Sequence, residues 1–462
     1  MCGILAILDQ DYRPDAKLDV YNGLTSLQHR GQDGFGICCD DRTIRKSGMI
    51  TDADMNDFDC FNINNKCFLG HVRYRTAGSS DPKNIQPIVI EDKIQVSLVH
   101  NGNILNMNHL LSSNEYFVNN KDYHNLGDSD TCVITTIFLY KLQSLIKQNN
   151  ITQKNVVDTC YYLMDILEGS FCLCILIKNY GLIVLRDQNG IRPLVYGTKN
   201  NSHLIASESC VLQHLDFQLV RNIKVGEIAI FEYGKSIPIF FQHHTHSFTP
   251  CIFEYLYFSR PDSIINEISV YESRIQIGRL LWKPILETIP VDEIDCIVPI
   301  PDTSNIFALG VEQVTGIPIH FGLLKNNYIK RTFIMENNNI IKQNIWRKLH
   351  AIDGVFRNKT VLFIDDSIVR GNTSKHIVKL AHQCGVKNII FGSASPPVVN
   401  ANKYGIHIPS SEGLIAHKRT NDEIADSIGV SHVIYNDLNK IIDILKLMNP
   451  NITDFEKSMF QY

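Results

Sequence analysis

Apolar residues in the first half of the chain fall in short runs that are separated by turn residues. Between Gly169 and Arg221, the runs FCLCILI, LIVLRD and HLIAS alternate with turn signals such as Asn189–Gly190. Short apolar runs divided by turns predict antiparallel strands. The segment VGEIAIFEYG at 225–234 predicts the final strand and hairpin of this half.

The second half of the chain alternates strand patterns with helix patterns. The segment DCIVPIPDTS, residues 295–304, predicts an apolar strand that ends in a proline-framed turn. Apolar positions from Ile306 to Val314 then have helical spacing, and IPIHFGLL predicts the next strand. This alternation is the βαβ pattern of a parallel sheet.

The stretch TVLFIDDSIVRGNTS, residues 360–374, has the features of a ligand site at the end of a strand. Its apolar run from Val361 to Ile364 predicts a strand that is covered on both faces. Asp365 and Asp366 follow at the carboxyl end, where open α/β sheets bind their ligands. Two adjacent acids suit a sugar phosphate whose hydroxyls and Mg²⁺ need negative partners. A polar surface turn is the alternative interpretation.

A helix start follows this acid pair. Residues 370–374, RGNTS, supply a cation, a flexible backbone and hydroxyl donors. Thr373 or Ser374 is expected to cap the helix that follows. Because amide groups at a helix start attract phosphate, the segment predicts a phosphate cradle.

The N-terminal sequence MCGILAIL places Cys2 directly after the initiator methionine. Removal of Met1 gives Cys2 a free α-amine beside its own thiol, and such an amine has an unperturbed pKa of about 8. One residue can then carry both the nucleophile and the base. Taken alone, a cysteine at position 2 is weak evidence, and an incidental small residue is the favoured interpretation.

Four polar motifs follow Cys2 in the first half. They are QHRGQDGFG at 28–36, HVRYRTAG at 71–78, HNGN at 100–103 and GDSD at 127–130. Together and in this order, they resemble the class II glutamine amidotransferase domain. The resemblance implies an αββα sandwich of the N-terminal nucleophile (Ntn) hydrolase type. Arg30 and His71 are expected to support this site without reacting.

The resemblance also assigns roles to single residues. Arg73 and Asp128 match the residues that hold the α-carboxylate and α-ammonium groups of glutamine. The Asn101 side chain and the Gly102 backbone N–H match the oxyanion hole for attack on the side-chain amide. Thr76 is expected to line the pocket.

Residues 360–374 resemble the phosphoribosyl-pyrophosphate signature of type I phosphoribosyltransferases. In that family, the positions of Asp365 and Asp366 contact the ribose hydroxyls, directly or around Mg²⁺. The loop that holds the 5′-phosphate corresponds to Arg370, Gly371, Asn372, Thr373 and Ser374. The family usually has Thr where this chain has Asn372. Because Asn keeps a side-chain donor and tolerates turn geometry, we expect function to survive this change.

Two further segments belong to the same resemblance. Ser304, in the pyrophosphate loop, is expected to contribute to the Mg²⁺ environment. The segment from Lys325 to Lys348 is rich in Asn, Lys and Arg, which predicts a mobile cationic loop over an anionic site. Arg331 and Lys348 match the basic positions of the family's closing loop. A plain solvated excursion is the alternative.

Composition and charge exclude several classes of protein. The chain has 462 residues, of which 44% are apolar and 20% charged, as in ordinary soluble domains. A net charge of −4 gives no general attraction to nucleic acid or to an anionic membrane. No apolar run approaches the roughly 20 residues that span a bilayer, and no basic region precedes Ile4–Leu8 as in a signal peptide.

Cysteine usage indicates a reduced environment. The 13 cysteines are irregularly spaced and form no Cys-x-x-Cys pairs, so neither a zinc site nor a disulfide framework is supported. We therefore expect a cytoplasmic location.

The resemblance also addresses an iron–sulfur cluster, which some relatives bind through four cysteines. Cys251 matches one of these positions, but Asn402, Glu456 and Met459 occupy the other three. We therefore expect Mg²⁺ as the cofactor and no iron–sulfur cluster.

The two halves together resemble the amidophosphoribosyltransferases, and the joining stretch CIFEYLYFSRPDS at 251–263 does so as well. The expected fold is α+β and α/β. Residues 2–238 are expected to form the class II glutamine amidotransferase sandwich, and residues 239–462 the parallel-sheet type I phosphoribosyltransferase domain.

The resemblance implies that ammonia from glutamine displaces pyrophosphate from 5-phosphoribosyl 1-diphosphate. The product is 5-phosphoribosylamine, in the first committed step of de novo purine synthesis. Implied partners are the two substrates, purine nucleotides as feedback inhibitors, and further copies of the chain in a dimer or tetramer, with no nucleic acid or membrane. The alternatives are another class II amidotransferase, or a nucleotide-binding regulator with inactive sites.

Overall fold

The structure is a computed structural model of the whole chain. It describes residues 2–461 except 12, 14, 62–64, 75–78, 80, 115, 118–126, 148–149, 246, 327–348, 407 and 409.

The first half of the described chain contains two antiparallel sheets and the helices that cover them. The strands are β1 Gly3–Asp9, β2 Gly34–Cys38, β3 Thr43–Ser47, β4 Cys67–Arg73, β5 Ile88–Glu91, β6 Gln95–Ile104, β7 Gly169–Ile177, β8 Gly181–Arg186, β9 Val195–Lys199, β10 Ser202–Ala206, β11 Gln218–Asn222, β12 Glu227–Glu232 and β13 Ile239–Gln242. The helices are α1 Ala16–Ser26, α2 Met107–Ser113, α3 Asp130–Leu145, α4 Gln153–Ile166 and α5 Cys210–His214.

The strands form one sheet in the order β11-β9-β10-β1-β4-β2-β3 and a second in the order β13-β12-β8-β7-β6-β5. Strand β1 shows why the sheets stack between helices. Ile4, Ala6 and Leu8 belong to the core between the sheets, whereas Leu5 and Ile7 pack in the core that contains α1. A strand with apolar residues on both of its alternating faces is covered on both sides. The predicted αββα sandwich is therefore confirmed.

Strand β13 lies beyond the predicted domain boundary at residue 238. It pairs with β12 in an antiparallel register that runs from Glu227 opposite Gln242 to Ile230 opposite Ile239. The first unit thus extends to residue 242 in the structure. The boundary after residue 238 remains a prediction, and one after residue 242 agrees better with this pairing.

The second half is built around a parallel sheet. Its strands, with two short hairpins, are β14 Ile264–Ile265, β15 Ile268–Ser269, β16 Cys296–Pro299, β17 Leu323–Lys325, β18 Leu349–Ala351, β19 Thr360–Asp365, β20 Asn388–Ser393 and β21 His432–Tyr435. Its helices are α6 Val270–Leu280, α7 Trp282–Thr288, α8 Asn305–Thr315, α9 Asp353–Phe356, α10 Asn372–Gln383, α11 Asn421–Ile428 and α12 Leu438–Met448.

The parallel strands run in the order β16-β19-β20-β21. Within β19, Leu362 and Ile364 pack into one core and Val361 and Phe363 into another. The apolar run is continuous because helices cover both faces of the sheet. The predicted parallel-sheet domain is confirmed, and its strands end together at the edge that follows Asp365.

A buried ion network joins the two halves. The Arg30 guanidinium has no exposed side-chain surface and pairs with Glu208, while a second nitrogen lies 2.9 Å from Glu254. Its Nε donates to the carbonyl oxygen of Cys2 at 3.0 Å. Glu254 lies in the joining stretch, so one guanidinium connects the first residue of the sandwich to the segment that enters the second half.

Replacement of this buried cation is expected to destabilise the protein strongly. Arg30→Met leaves Glu208 and Glu254 buried without their main partner, and we expect a loss of roughly 3–5 kcal/mol in the free energy of unfolding. Arg357→Met removes an arginine whose pairing with Asp353 is exposed, and little change is expected there. Urea unfolding of both variants provides the measurement. An unfolding midpoint for Arg30→Met equal to that of Arg357→Met would refute the role of the network.

Candidate active sites

Cys2 lies at the mouth of the sandwich, where β1 begins beside the end of β4. The pairing of Gly3 with Val72 places Cys2 next to the residues that follow β4. The Cys2 thiol lies 3.5 Å from both the carbonyl oxygen and the amide nitrogen of Tyr74. Burial raises the pKa of the thiol. At neutral pH the sulfur therefore keeps its proton, and a nucleophilic role requires a base.

Asn101 and Gly102 lie near the end of β6 in the facing sheet. Ile4 and Val99 both belong to the core between the sheets. By the two-residue period of a strand, Cys2 and Asn101 point towards that same interior. The Asn101 side chain is 1% exposed, and its Nδ2 has no hydrogen-bond acceptor among the described residues. A buried, unsatisfied donor is costly unless a ligand uses it.

Gly102 can only be a glycine in this position. A Cβ atom there would lie 1.9 Å from the carbonyl oxygen of Ser170 and 2.6 Å from His100 Nε2. A small cavity of about 20 Å³ is lined by both Cys2 and Gly102. The thiol and the predicted oxyanion-hole backbone therefore share one space.

Arg73 and Asp128 are connected through Ser79. Arg73 Nη2 donates to the Ser79 carbonyl oxygen at 3.1 Å, and the Ser79 amide donates to Asp128 at 3.0 Å. Burial acts to raise the pKa of Asp128, but hydrogen bonds from Ser79 and Asn84 hold it below its ordinary value. The structure thus connects a guanidinium and an ionised carboxylate through one residue, and Arg73 lines the same small cavity as Cys2. Thr76 falls outside the described residues.

One residue of this site, Asn84, lies outside the sequence motifs, and Asp130, the last residue of the GDSD motif, was assigned no role. Asn84 is 1% exposed, donates to Asp128 and accepts from the amides of Asp128 and Ser129. Asp130, the first residue of α3, lies 3.5 Å from His100 and accepts from the Ile104 amide. An asparagine in an irregular loop has no periodicity that marks it, so Asn84 could be found only from the fold.

His71 and Arg30 surround the cysteine from the inside. His71 is fully buried, and burial, followed by the charge of Arg73, lowers its pKa to about 3. It is therefore neutral at physiological pH. Arg30 holds the Cys2 carbonyl oxygen, as described above. The supporting roles expected for Arg30 and His71 agree with these contacts and stay predictions.

The second site lies at the carboxyl edge of the parallel sheet. The Ser304 hydroxyl donates to Asp365 at 3.2 Å, and the Thr303 hydroxyl donates to Asp366. Thr303 and Ser304 follow β16, which pairs with β19 up to Pro299 opposite Ile364. Because parallel neighbours end at the same edge, the two loops meet there.

Burial shapes the chemistry of this acid pair. Both carboxyl groups are 7% exposed. Burial, and for Asp365 also the charge of its neighbour, raises their pKa values. Arg274 is the nearby cation, and its charge acts in the opposite direction on Asp366. Two adjacent buried carboxylates create a site that a cation stabilises.

The loop after Asp366 differs in one detail from the sequence prediction. Helix α10 begins at Asn372, and Gly371 with φ +73° stands at its N-cap without a side-chain cap. The prediction that Thr373 or Ser374 caps the helix is therefore wrong. A Cβ on Gly371 would lie 2.4 Å from Ile415 Cδ1. The glycine is needed because the backbone turns with a positive φ against a packed side chain.

The remaining phosphate-loop residues lie around this helix start. Arg370, Asn372 and Thr373 are exposed, whereas Gly371 and Ser374 are buried. The first amides of an α-helix have no intrahelical acceptor, so they are available to an anion. Arg331 and Lys348 lie outside the described residues, and β17 and β18 pair on either side of that segment.

The residues at the acid pair fit Mg²⁺. In the described part of the chain, no group of three or more His, Cys, Asp or Glu side chains could hold a metal ion. Mg²⁺, however, commonly binds through one or two carboxylates, with substrate phosphates and water as the other ligands. Asp365 and Asp366, with the Ser304 hydroxyl beside them, supply that oxygen donor set.

The residues at the expected cluster positions do not fit an iron–sulfur cluster. Cys251 forms a bridge with the Glu456 backbone, and Asn402 Nδ2 donates to Glu456 Oε2 at 3.1 Å. The Met459 carbonyl oxygen accepts from the Val399 amide at 2.9 Å. These positions therefore meet in space, but only Cys251 is a thiolate ligand of the kind that such clusters use. The absence of a cluster remains a prediction.

A large cavity lies between the two sites. It has a volume of about 340 Å³. Tyr74, which contacts the Cys2 thiol, lines it at one side, and Thr303, which contacts Asp366, lines it as well. Tyr257 and Phe258 of the joining stretch also contribute to its wall.

The fold and the two sites define a class of protein, a glutamine amidotransferase domain joined to a phosphoribosyltransferase domain. Residues 71–214 match the family described as "Glutamine amidotransferase domain". Amidophosphoribosyltransferases of Pasteurella multocida and Escherichia coli are each 36% identical to this chain, over 100% of it and 92% of the relative. That of Saccharomyces cerevisiae is 34% identical over 100% of this chain and 91% of the relative.

Solved structures agree with these relatives. Glutamine phosphoribosylpyrophosphate amidotransferase from B. subtilis, complexed with ADP and GMP, superposes with a TM-score of 0.81 at 29% identity, covering 98% of this chain and 94% of that one. A structure described as the allosteric regulatory enzyme of purine biosynthesis gives a TM-score of 0.80 at 30% identity, over 96% of this chain and 91% of that one. The chain belongs to the amidophosphoribosyltransferase family and is a glutamine-dependent transferase. Among the described residues, no helix is long and apolar enough to cross a membrane.

Removal of one charge from the acid pair is expected to stabilise the ligand-free protein at neutral pH. With raised pKa values, the native carboxyls hold protons to a higher pH than the unfolded ones, whose pKa is about 3.9. Stability therefore falls as the pH rises through this window. Asp365→Asn removes one of the two carboxyls that cause this loss of stability. Its Tm at pH 7 should exceed that of the wild type by about 2–4 °C for each kcal/mol of destabilisation that is removed.

The measurement is a series of thermal melts from pH 4 to pH 8 in the presence of a chelator. The gain in Tm should shrink towards pH 4, where the native carboxyls are protonated. Asp302→Asn changes an exposed carboxylate at the same edge and is expected to have little effect. A variant Asp365→Asn that is less stable than the wild type at pH 7 would contradict this account.

Proposed function

We propose that Cys2 releases ammonia from glutamine and that the ammonia is used at Asp365 and Asp366. The Cys2 sulfur attacks the side-chain amide carbon, and a carbon–sulfur bond forms. The carbon–nitrogen bond then breaks, ammonia leaves, and a glutamyl thioester remains. Water hydrolyses this thioester, which yields glutamate and restores the thiol.

The base in this step is the α-amine of Cys2 itself. The thiol has a raised pKa because it is buried, so its proton must be removed during attack. His71 is a poor base because its pKa is lowered to about 3. An α-amine that is freed by loss of Met1 stands on the same residue and has a pKa near neutrality.

The surrounding residues bind glutamine and stabilise the tetrahedral intermediate. Arg73 pairs with the α-carboxylate and Asp128 with the α-ammonium group, which fits their opposite charges and their shared contact with Ser79. The unsatisfied Asn101 Nδ2 and the Gly102 N–H donate to the oxyanion. Thr76 is proposed to line the same pocket.

At the second site, ammonia attacks C1 of 5-phosphoribosyl 1-diphosphate and pyrophosphate leaves. Asp365 and Asp366 hold the ribose hydroxyls, and with Ser304 they are the residues that would hold Mg²⁺. The ion, when bound, neutralises charge on the leaving pyrophosphate. The protein otherwise positions the sugar and excludes water, which competes with ammonia.

The 5′-phosphate is proposed to bind at the start of α10. Gly371, Asn372, Thr373 and Ser374 present backbone amides and hydroxyls there, and Arg370 adds a positive charge. Arg331 and Lys348 are proposed to close over the pyrophosphate.

The observation that carries this proposal is the cavity of about 340 Å³ between the sites. Its wall includes a residue in contact with the nucleophile and a residue in contact with the acid pair. Ammonia is small and neutral, so a cavity whose wall includes Tyr74, Tyr257 and Phe258 offers it a path from one site to the other. The reaction is thereby proposed as the first committed step of de novo purine synthesis.

Regulation and assembly follow from the same family. The B. subtilis relative was solved with ADP and GMP, and we propose purine nucleotides as feedback inhibitors of this chain. Assembly into a homodimer or homotetramer and a cytoplasmic location are part of the same proposal. Another class II amidotransferase or an inactive regulator is less well supported, because neither uses the cavity together with the acid pair.

Cys2→Ala is expected to separate the two nitrogen sources. It removes the nucleophile but keeps the α-amine and a small side chain. Glutamine-dependent synthesis should fall by several orders of magnitude, since no neighbouring group replaces the thiol. Synthesis from concentrated ammonium at alkaline pH should persist near the wild-type level. Parallel assays with both donors on one preparation provide the measurement.

Two results would contradict this separation. Loss of both activities in a folded Cys2→Ala protein would show that the sites are not independent. Retained glutamine-dependent activity would show that Cys2 is not the nucleophile.

Asp365→Asn combined with Asp366→Asn should give the opposite pattern. Phosphoribosylamine formation from either nitrogen donor should be largely lost, because both donors need the sugar substrate. Basal glutaminase activity should stay largely intact, because the acids serve only the second site. Pyrophosphate release and glutamate release, measured separately, test this expectation, and unchanged pyrophosphate release would refute the assignment.

A further inference from the structure

A loop of the second half, residues 402–406, packs directly against β6, the strand of the first half that carries Asn101 and Gly102. Asn103 Nδ2, on β6, donates to the Lys403 carbonyl oxygen at 2.8 Å. Ser170 is opposite Asn103 in the pairing of β6 with β7, and its hydroxyl donates to the Tyr404 carbonyl oxygen at 3.1 Å. Arg192 donates to the same oxygen of Tyr404. Three side chains of the sandwich thus hold two consecutive carbonyls of this loop.

The loop also touches the backbone of Gly102. Gly405 has φ +99°, and a Cβ there would lie 3.1 Å from the Gly102 carbonyl oxygen. Gly102 is opposite Phe171 in the pairing of β6 with β7. The amide and carbonyl of Phe171 bond to Asp187, on the side of β7 away from β6. In an antiparallel ladder, such a pair shares no backbone hydrogen bonds. The carbonyl and amide of Gly102 therefore point to the open edge of β6, where Gly405 lies.

One buried side-chain pair fixes the shape of this loop. Asn402 Oδ1 accepts from the amides of Tyr404 at 2.9 Å and Ile406 at 3.2 Å. Asn402 Nδ2 donates to Glu456 Oε2 at 3.1 Å. The Glu456 backbone is itself tied to Pro250 and Ile252. Asn402 and Glu456 are each 8% exposed, so water has little access to the hydrogen bonds that their side chains make.

We propose that the Asn402–Glu456 pair is a positioning element for the glutaminase oxyanion hole. It holds Lys403, Tyr404 and Gly405 in the shape that orients Gly102 and Asn103 on β6. This inference rests on the proposed role of Asn101 and Gly102 in glutamine hydrolysis. It assigns to the second half a direct effect on glutamine chemistry, separate from the binding of the sugar substrate.

Removal of the Asn402–Glu456 pair is expected to change the orientation of the two oxyanion donors. Loss of an entire oxyanion-hole donor costs about 10²–10³-fold in kcat. Loosening of the loop leaves both donors present but less well oriented, so the loss should be smaller. The effect should appear in kcat for glutamine and not in KM, because Arg73 and Asp128 bind glutamine away from this loop.

The test uses Asn402→Ala, with Glu456→Ala as a second variant and Glu456→Gln as the conservative replacement. The first two variants remove the hydrogen bond between Asn402 and Glu456. They should lower glutaminase kcat about tenfold, with KM for glutamine unchanged. Glu456→Gln keeps an oxygen that can accept from Asn402 Nδ2 and should restore near-wild-type kcat. Ammonium-dependent synthesis and alkylation of Cys2 by iodoacetamide should be unchanged in all three.

Asn436→Ala is the matched control. Its Nδ2 donates to the Ile277 carbonyl oxygen at 2.8 Å, and the side chain is 4% exposed. It removes a comparable buried amide within the second half without touching the loop. The variant should lose stability, but its ratio of glutamine-dependent to ammonium-dependent activity should stay that of the wild type.

The outcomes separate this inference from the proposed function. Equal loss of glutamine-dependent and ammonium-dependent activity in Asn402→Ala, or no loss of either, would overturn the positioning role. Asn101→Ala with full glutaminase activity would instead overturn the oxyanion assignment itself. If Asn402→Ala does not fold, Gly405→Ala decides, because its Cβ presses on the Gly102 carbonyl and should produce the same selective loss.

Discussion

The buried guanidinium of Arg30 is the interaction on which the arrangement of the two halves depends. An arginine without exposed surface is costly unless carboxylates surround it. Burial by itself raises the pKa of Glu208, but His29 and Arg30 outweigh burial and keep that carboxyl ionised. Glu254, from the joining stretch, completes the pairing. Because the same guanidinium also holds the Cys2 carbonyl oxygen, the proposed nucleophile is placed by an ion network that spans both halves.

Burial also sets the chemistry of both sites, and at the acid pair it opposes the stability of the empty protein at neutral pH. The Cys2 thiol and the acid pair all have raised pKa values because water is excluded from them. Among the described residues, the Asn101 Nδ2 is buried without an acceptor. A substrate oxygen would satisfy this donor, and a cation would offset the repulsion between the two carboxylates. The sites are therefore organised in advance for charge that develops during the reaction, and the cores on both faces of each sheet offset this cost.

The sequence anticipated the groups that do chemistry better than those that hold them. The apolar run before Asp365 is a local pattern, so its strand could be predicted, and turn signals predicted the antiparallel strands between Gly169 and Gly234. The HNGN motif was recognised only through the family resemblance, which also implied the αββα sandwich. Ser79 and Asn84 reach the proposed glutamine site only through their contacts with Asp128, which no local pattern encodes. The expected cap by Thr373 or Ser374 failed because a positive-φ glycine packed against Ile415 begins the helix instead. Strand β13 was missed because its pairing with β12 depends on a turn whose residues also suit a linker.

Two of the connections between the halves differ in the forces that hold them. The Arg30 network depends on the attraction between one buried guanidinium and the carboxylates of Glu208 and Glu254. The contacts of Lys403 and Tyr404 use backbone carbonyls, with donors from Asn103, Ser170 and Arg192, so they depend mainly on backbone geometry. Rearrangement of the loop is expected to shift the proposed oxyanion donors without moving Cys2, whose backbone is held by Arg30. The proposed nucleophile and the proposed oxyanion donors thus receive separate support from the second half.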